Sequence, residues 1–322
     1  MLLVVLEHDR GEIVEAALQA LTFGRALADR MGAEMHAAVI GSDDAGLVTA
    51  AGAHGAVTVH VATHEILSDY GPEAHGETVA EMARELEPDT VIAGGSDRGN
   101  EVLAQAAARL DSAFVANCTG VTPGDPWEMT RLQWGGSLLE DVELTAEVAL
   151  VTCAPHAVVA EPVDSPRDVV VEEFRVELDP VLARTVVRDR VVLTRGMTLP
   201  TAPVVVGGGR GVGSAEGFAA LEELAGLLGG VVGCSRAVTN NGWRPHADQV
   251  GQTGTRIAPD IYIAAGISGA IQHWVGASGS KRILAINTDP EANMVAKAGY
   301  AVIGDLHEVI PAIVEEIRSR RA

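Results

Sequence analysis

Short apolar runs alternate with longer segments of helical periodicity along this chain. Leu2–Leu6 is an apolar run, the segment 13–31 repeats apolar residues every three or four positions, and 37–40 is apolar again. Such alternation is typical of parallel strands that are buried under helices on both faces. The pattern continues with a helix near 44–51, a strand at 57–61, a helix ending near 86, a strand at 90–93 and a helix at 100–110. The sequence therefore predicts an α/β fold.

The pattern changes in the middle of the chain. The segment 127–144 alternates apolar and polar residues around Gly135 and Gly136, which predicts a β-hairpin, and 147–152 predicts a strand that closes the first domain. A further strand is expected at 169–178. The segment 179–203 is charged and bounded by prolines, which is typical of a linker. We therefore expect two domains, residues 1–197 and 198–322, each a mostly parallel sheet covered by helices.

A glycine-rich stretch, Gly207-Gly-Gly-Arg-Gly-Val-Gly-Ser214, follows an apolar strand at 203–206. It matches neither G-x-G-x-x-G, whose third glycine would fall on Val212 or Ser214, nor the phosphate loop G-x-x-x-x-G-K-[ST], which requires lysine where Ser214 stands. Arg210 at its centre could bind a pyrophosphate through a bidentate guanidinium. The alternative is an ordinary surface arginine on a loop.

A second glycine-rich stretch begins at Gln249 and ends near Pro290. Its glycines allow close approach of the backbone to a ligand, and its polar side chains supply varied hydrogen-bond donors and acceptors. The apolar run 262–266 predicts a buried strand, and Ser268 is expected to cap a helix beginning at Gly269, which would form an anion site. The alternative is that Ser268 only caps its helix and Gly266 only turns the chain.

These motifs carry a family resemblance. Gln249-Val-Gly-Gln-Thr-Gly254, Gly266-Ile-Ser-Gly-Ala-Ile-Gln-His273, Asn287, Gly207-Gly-Gly-Arg-Gly211 and Cys234-Ser-Arg236 together resemble the FAD-binding domain of the electron-transfer flavoprotein alpha subunit family. The resemblance is specific over the C-terminal domain and looser over the remainder. It implies a Rossmann-like C-terminal domain that binds FAD.

By resemblance, a defined set of side chains and glycines contacts FAD. The implied cofactor-binding residues are Arg210, Ser235, Arg236, Gln249, Gln252, Thr253, Gly254, Gly266, Ser268, Gly269, Ile271, Gln272, His273, Asn287 and Asp305. Arg236 is expected against the isoalloxazine ring, Thr253 near flavin N5 and His273 near the N1/O2 edge, while Asn287 and Asp305 are expected at the AMP half. A fixed cation beside the ring would stabilise the negative charge of a reduced flavin.

The resemblance also implies an electron carrier rather than an enzyme that transforms a substrate. Such an alpha subunit pairs with a beta subunit that holds a structural AMP, and it passes electrons from flavoprotein dehydrogenases, such as the acyl-CoA dehydrogenases of fatty acid β-oxidation, to a membrane quinone oxidoreductase. The alternative within the family is a bifurcating complex, in which a second FAD in the beta subunit reacts with NADH and electrons reach both quinone and ferredoxin or flavodoxin.

Two rival classes lie outside this function. A nucleotide-binding sensor or structural module would lack some of the flavin contacts, and no such gap is found at the positions named above. An enzyme acting directly on a substrate is a weaker rival, because the sequence contains no obvious nucleophile with its base and no metal-ligand cluster. We therefore predict neither catalytic residues nor a metal site.

The motif Gly94-Gly-Ser-Asp-Arg-Gly-Asn100 lies between a predicted strand and a predicted helix of the first domain. Open α/β sheets bind ligands at this position, so the motif could hold a nucleotide. The family does not use this domain for the flavin, and we favour a turn or a contact with the other subunit.

Charge and composition narrow the remaining classes. A net charge of −21 argues against nucleic-acid binding, which needs a clustered basic surface. The three cysteines are far apart and are expected to be buried thiols. Since the chain has neither a signal sequence nor a long apolar segment, we expect a cytoplasmic protein without membrane insertion. Lysine occurs only at 281 and 297, and this shortage, together with the acidic excess, indicates either a high-salt cytoplasm or codon bias toward arginine.

Overall fold

The computed structural model describes residues 1–166, 168–188 and 197–321. The chain divides into two compact units, Met1–Val191 and Val192–Ala322. This division lies a few residues before the predicted one after residue 197. The exact position stays a prediction, since residues 189–196 lie outside the described ranges.

The N-terminal unit is built on strands and helices in alternation. Its described elements are β1 (Leu2–Leu6), β2 (His8–Asp9), β3 (Glu12–Ile13), α1 (Glu15–Met31), β4 (Met35–Ile40), α2 (Ala45–Ala53), β5 (Thr58–Ala62), α3 (Pro72–Leu86), β6 (Thr90–Gly94), α4 (Asp97–Leu110), β7 (Phe114–Thr122), β8 (Trp127–Gln133), β9 (Leu138–Leu144), β10 (Ala149–Cys153) and β11 (Val170–Glu173). The main sheet has the order β11-β5-β4-β1-β6-β10-β7-β8-β9. Its pairs are parallel except for two. The antiparallel pair β8–β9 is the predicted hairpin, and the antiparallel pair β7–β8 lies beside it.

Strand β1 shows why this sheet is covered on both faces. Its five residues are all buried, with Leu2, Val4 and Leu6 in one apolar core and Leu3 and Val5 in the other. Because successive side chains of a strand point to opposite faces, a run without polar residues can be stable only between two layers of helices. The predicted α/β fold with a mostly parallel sheet is confirmed.

The C-terminal unit repeats this arrangement on a smaller scale. Its described elements are β12 (Val204–Gly208), α5 (Ala219–Leu228), β13 (Val231–Cys234), α6 (Arg236–Asn240), β14 (Ile261–Ala265), α7 (Ile271–Ala277), β15 (Ile283–Asn287), α8 (Asn293–Lys297), β16 (Tyr300–Ile303) and α9 (Leu306–Arg321). The sheet order is β13-β12-β14-β15-β16, and every pair in it is parallel. The chain leaves β12 toward β13 and then crosses back to β14, so the strand order reverses beside β12. None of the helices described in the chain is both long and apolar enough to span a membrane.

Several predicted elements differ from the structure. The strand expected at 169–178 is limited to Val170–Glu173, and β7 was not predicted. The final helix, which a helix-starting proline would place at Pro311, begins at Leu306. An oxygen of Asp305 accepts a hydrogen bond from the backbone N–H of His307 at 2.9 Å, which satisfies one free donor of the first turn and starts the helix earlier.

Candidate functional site

The C-terminal unit contains a cleft of about 680 Å³ at the carboxyl ends of its strands. The segments that follow β12 to β16 all contribute to its lining. Parallel sheets of this kind bind ligands at this edge, beside the point where the strand order reverses. The predicted site residues that line the cleft are Arg210, Ser235, Arg236, Gly266, Ser268, Gly269, Gln272, His273, Asn287 and Asp305.

The glycine-rich turn after β12 packs directly on the end of β14. The N–H of Gly209 donates to the carbonyl of Ala265 at 2.8 Å, and the N–H of Gly211 donates to that of Gly266 at 3.1 Å. A Cβ atom at Gly209 would lie only 2.1 Å from the Gly266 carbonyl oxygen. Glycine is therefore required at Gly209 so that the two backbones can form one wall of the cleft.

Two arginines face the cleft at the end nearest β12 and β13. Arg210 and Arg236 are both exposed, and in the described part of the chain neither has a carboxylate within 4.0 Å. Arg244 differs, because it pairs with Glu222 and, at 2.8 Å, with Asp248. The positive charges at the cleft are thus left for a ligand, and guanidinium groups bind phosphates well.

Ser268 lines the cleft, but it does not cap a helix. Helix α7 begins at Ile271, two residues later than predicted, and no side chain caps its start. Gly269 has a φ of +78°, and a Cβ there would lie 2.3 Å from the Met294 nitrogen, so the chain makes a tight turn where the helix was expected. The predicted anion site at a Ser268-capped helix is therefore wrong in its geometry. What remains is a polar turn at the cleft.

A buried hydrogen bond lies directly behind the cleft. His273 is 6% exposed, Tyr262 is fully buried, and the Tyr262 hydroxyl lies 2.8 Å from Nε2 of His273. This hydroxyl has no other hydrogen-bond partner in the described residues; we assign it as the donor to Nε2, which leaves the ring proton on Nδ1. Nδ1 makes no well-formed hydrogen bond, although the Val250 carbonyl is close enough to oppose part of the pKa shift. Burial lowers the pKa of His273 to about 4, so the ring is neutral at pH 7.

We expect Tyr262→Phe to lower the free energy of unfolding by about 1–3 kcal/mol, because Nε2 of His273 would be left buried without a donor. Urea unfolding followed by circular dichroism would measure this loss. Tyr300→Phe is the matched control, since the Tyr300 side chain is exposed and its variant should retain wild-type stability. Equal stability of both variants would contradict the assigned hydrogen bond.

The loop containing the remaining polar candidates lies beside the cleft and not in its lining. Gln249 is buried, with Oε1 accepting from the Thr239 hydroxyl at 2.8 Å and Nε2 donating to the Thr253 hydroxyl at 2.9 Å. The N–H of Gln252 donates to the carbonyl of Gln272 at 2.7 Å, which joins this loop to the cleft. Gly254 packs on the backbone of Gln249, where a Cβ would lie 2.2 Å from the carbonyl oxygen. Ile271 is exposed and does not line the cleft.

At the opposite end of the cleft, the side chains of two candidates hydrogen-bond to backbone groups of other residues. Asn287 donates to the Ile267 carbonyl at 3.0 Å and accepts from the N–H of Asp289 at 3.1 Å. Asp305 caps the N–H of His307. Both side chains therefore shape the cleft, and Asp305 and Asp289 make this end acidic, in contrast to the arginine end.

Sequence reasoning missed several residues of the lining. They are Asn240, Thr288, Asp289, Leu306 and His307. Asn240 lies four positions after Arg236 on α6, Thr288 and Asp289 directly follow β15, and Leu306 and His307 are the first residues of α9. Their position after strands whose partners were already predicted could have identified them, since the carboxyl ends of parallel strands meet at one edge.

Covalent chemistry has little support in this cleft. Cys234 ends β13 beside it but is fully buried, and burial raises the pKa of its thiol to about 12, so no thiolate is available at neutral pH. Cys118 and Cys153 are buried and protonated for the same reason, which confirms the expected buried thiols. Among the residues described, no group of three or more His, Cys, Asp or Glu side chains is placed to hold a metal ion. The arrangement suits binding of a ligand through phosphates and hydroxyls.

Comparisons with known proteins agree over both units. Residues 198–278 match the family described as electron transfer flavoprotein FAD-binding domain, and residues 2–179 match the family described as electron transfer flavoprotein domain. The chain is 34% identical to the electron transfer flavoprotein subunit alpha of Thermoanaerobacterium thermosaccharolyticum over 319 residues, which cover 98% of this chain and 97% of that protein. It is 35% identical to the subunit alpha of Bacillus subtilis, with 98% and 97% covered, and 35% identical to the protein FixB of Clostridium saccharobutylicum, with 98% and 95% covered.

Proposed function

This chain belongs to the electron transfer flavoprotein alpha subunit family, and we propose on that premise that its C-terminal cleft holds one FAD without a covalent bond. In this proposal the protein is an electron carrier that transforms no substrate. The observation that carries it is the cleft itself, a space of about 680 Å³ with two uncompensated arginines at one end and two aspartates at the other. A dinucleotide needs cations for its phosphates and acceptors for its ribose hydroxyls.

The residues at the cleft fit FAD in two respects. Gly209 and Gly211 bring the backbone of the turn against Gly266, and a side chain at Gly209 would push into that wall. Pockets for small molecules measure roughly 300–1,000 Å³, so the cleft is large enough for a dinucleotide. The further assignment of FAD to individual side chains rests on the family resemblance.

Bound FAD would supply the redox chemistry, because a flavin can accept and release electrons one at a time as well as in pairs. The chain itself would hold and polarise it. Arg236 offers a positive charge, and His273 offers a neutral ring whose assigned tautomer is held by Tyr262. Thr253 accepts from Gln249, which leaves its own hydroxyl proton to donate to another acceptor.

The partners follow from the family and not from this chain alone. We propose a heterodimer with an electron transfer flavoprotein beta subunit that carries AMP. The proposed donors are flavoprotein dehydrogenases, including acyl-CoA dehydrogenases of fatty acid β-oxidation, and the proposed acceptor is a membrane quinone oxidoreductase. Support for the heterodimer comes from the names of the relatives, which are called subunits.

Co-expression with the beta subunit tests this function. The amounts of FAD and AMP per heterodimer would be measured in the purified complex at low and at high salt. We propose that assembly depends on salt, because salt screens the repulsion within a chain of net charge −21. One FAD, with AMP in the beta subunit and reduction by an acyl-CoA dehydrogenase, would support the simple carrier. Two FADs and reduction by NADH would instead support the bifurcating form, which can also reduce ferredoxin or flavodoxin. Absence of flavin under every condition would contradict both.

We expect Arg210→Ala to weaken FAD binding about ten- to hundredfold, because a charge-assisted hydrogen bond to a phosphate contributes about 1.5–3 kcal/mol. The dependence of affinity on salt should also become shallower. Equilibrium dialysis of the complex after removal of flavin would measure both changes. Arg320→Ala is the control, because Arg320 pairs with Glu316 on α9 and does not line the cleft. Similar effects of the two substitutions would contradict a phosphate contact at Arg210.

A further inference from the structure

The N-terminal unit has a cleft of its own, about 360 Å³ in volume. It is lined by the ends of β1, β4 and β6 and by the first turns of α4. From β1 the chain proceeds to β4 and β5 on one side and then crosses to β6 on the other side of β1. The cleft therefore lies where the strand order reverses, which is the general ligand position of open parallel sheets.

Arg98, in the first turn of α4, is the main reason to expect a ligand with a negative charge. Its guanidinium lies 4.8 Å from the centre of the Tyr70 ring, and no carboxylate of the described residues lies within salt-bridge distance of it. The Tyr70 hydroxyl donates to Glu101 at 2.7 Å, so the ring under the guanidinium is fixed. Arg10, the other arginine of the lining, is paired with Asp9 at 2.8 Å.

Three acidic residues, Glu7, Asp9 and Asp69, line the cleft with Arg98, and in the part of the chain that the structure describes none of them forms an ion pair with it. Glu7 accepts a hydrogen bond from the Ser96 hydroxyl, and Asp9 is held by Arg10. Glu7 retains lone pairs that can accept from hydroxyl groups, as an acidic residue does for a ribose in dinucleotide-binding folds. An arginine without a carboxylate partner beside a carboxylate with free lone pairs matches a ligand that carries both a phosphate and hydroxyls.

A planar group has a suitable wall in the same cleft. The rings of Tyr70 and His75 lie 5.3 Å apart with an angle of 55° between them. Nδ1 of His75 lies 2.9 Å from the Gly71 carbonyl and must donate to it, so neutral His75 keeps Nε2 as an acceptor. Leu67 and Val102 add apolar surface. An acceptor beside aromatic and apolar side chains suits a base that carries an amino group.

We propose that this cleft is a second ligand site that binds a nucleoside monophosphate, with the phosphate at Arg98, the sugar hydroxyls at Glu7 and the base against Tyr70 and His75. Its volume is about half that of the C-terminal cleft, so it fits one nucleotide rather than a dinucleotide. The site belongs to the N-terminal unit alone and does not depend on the proposed flavin.

Binding of AMP to the full-length chain tests this inference. Photo-crosslinking with an azido-AMP, followed by peptide mapping, should label the segment containing Tyr70 and His75. Isothermal titration should show that Arg98→Ala weakens AMP binding at least about tenfold, while the weaker binding of adenosine, which has no phosphate, changes little. Arg30→Ala is the matched control, because Arg30 is an exposed helical arginine that does not line the cleft.

Three results would overturn the proposal. The first is labelling confined to the C-terminal unit, and the second is an equal effect of Arg98→Ala on the affinities for AMP and adenosine. The third is the absence of AMP binding at about 1 mM, which is the weakest dissociation constant expected of a specific small-molecule site. Circular dichroism of each variant distinguishes loss of binding from loss of folding. Because the label maps to one unit or the other, failure here is separable from failure of FAD binding in the C-terminal cleft.

Discussion

Gly209→Ala is expected to abolish FAD binding and to lower the free energy of unfolding of the C-terminal unit by about 3 kcal/mol or more. The added Cβ would lie 2.1 Å from the carbonyl oxygen of Gly266 and 2.7 Å from Cα of Ile267. Both neighbours are backbone atoms of a turn, so they cannot move aside as a flexible side chain could. The substitution would separate β12 from the turn after β14 and distort the wall of the cleft.

Gly226→Ala provides the matched control. Gly226 lies inside α5, and no heavy atom would be within 4 Å of its added Cβ. Alanine in a helix interior is favoured over glycine by about 0.5–1 kcal/mol, so this variant should bind FAD normally and be slightly more stable. Urea unfolding followed by tryptophan fluorescence would be measured for both variants in a background in which Trp127 and Trp134 of the first unit are replaced by phenylalanine, so that Trp243 and Trp274 report on this unit. Normal FAD content in Gly209→Ala would contradict the role assigned to the turn.

The sequence predicted the central strands of the first sheet well because they are fully buried. The apolar runs expected at 2–6 and 90–93 match Leu2–Leu6 and Thr90–Gly94, since continuous apolar runs bounded by polar or glycine residues leave little freedom in where a strand ends. Strand β7 escaped prediction. Its buried residues Val115, Cys118 and Val121 are spaced by three, and its pairing shifts register near Cys118. A strand with such an irregularity does not show the period of two.

The site was predictable to the extent that it consists of strand ends. Arg236, Ser268 and Asn287 all follow apolar runs, and parallel pairing brings these ends to one edge whatever the loops do. The start of α7 was not predictable in this way. A serine before a glycine usually predicts the N-cap of a helix. Gly269 instead adopts a left-handed conformation, because it packs against Met294, which is distant in the sequence. Contacts of that kind cannot be read from local spacing.

The buried His273 and the partly buried His75 should make the protein sensitive to acid. Burial lowers the pKa of His273 to about 4, and burial also lowers the pKa of His75 to about 4, whereas both would titrate near 6.5 in the unfolded chain. As the pH falls below about 6.5, the unfolded state takes up these protons before the folded state can. Stability is therefore complete above pH 6.5 and is lost progressively down to about pH 4.

We expect each histidine to account for a loss of about 3 kcal/mol between pH 7 and pH 4, since one pKa unit corresponds to about 1.36 kcal/mol. His75→Gln and His273→Gln should each remove about that much of the pH dependence. Both variants should be less stable than the wild type at pH 7, because each loses a hydrogen bond of the ring. Urea unfolding at a series of pH values would measure the slopes.

Additivity gives the sharpest form of this test. The two histidines lie in different units, His75 in the first and His273 in the second, and they share no hydrogen-bond partner among the residues that the structure describes. Substitutions at sites without shared partners usually add within about 0.3–0.5 kcal/mol, so the double variant should lose both contributions to the pH dependence. If the double variant retained the full wild-type loss between pH 7 and pH 4, the acid sensitivity would have to arise from other groups, and the neutral state assigned to His273 behind the cleft would be wrong.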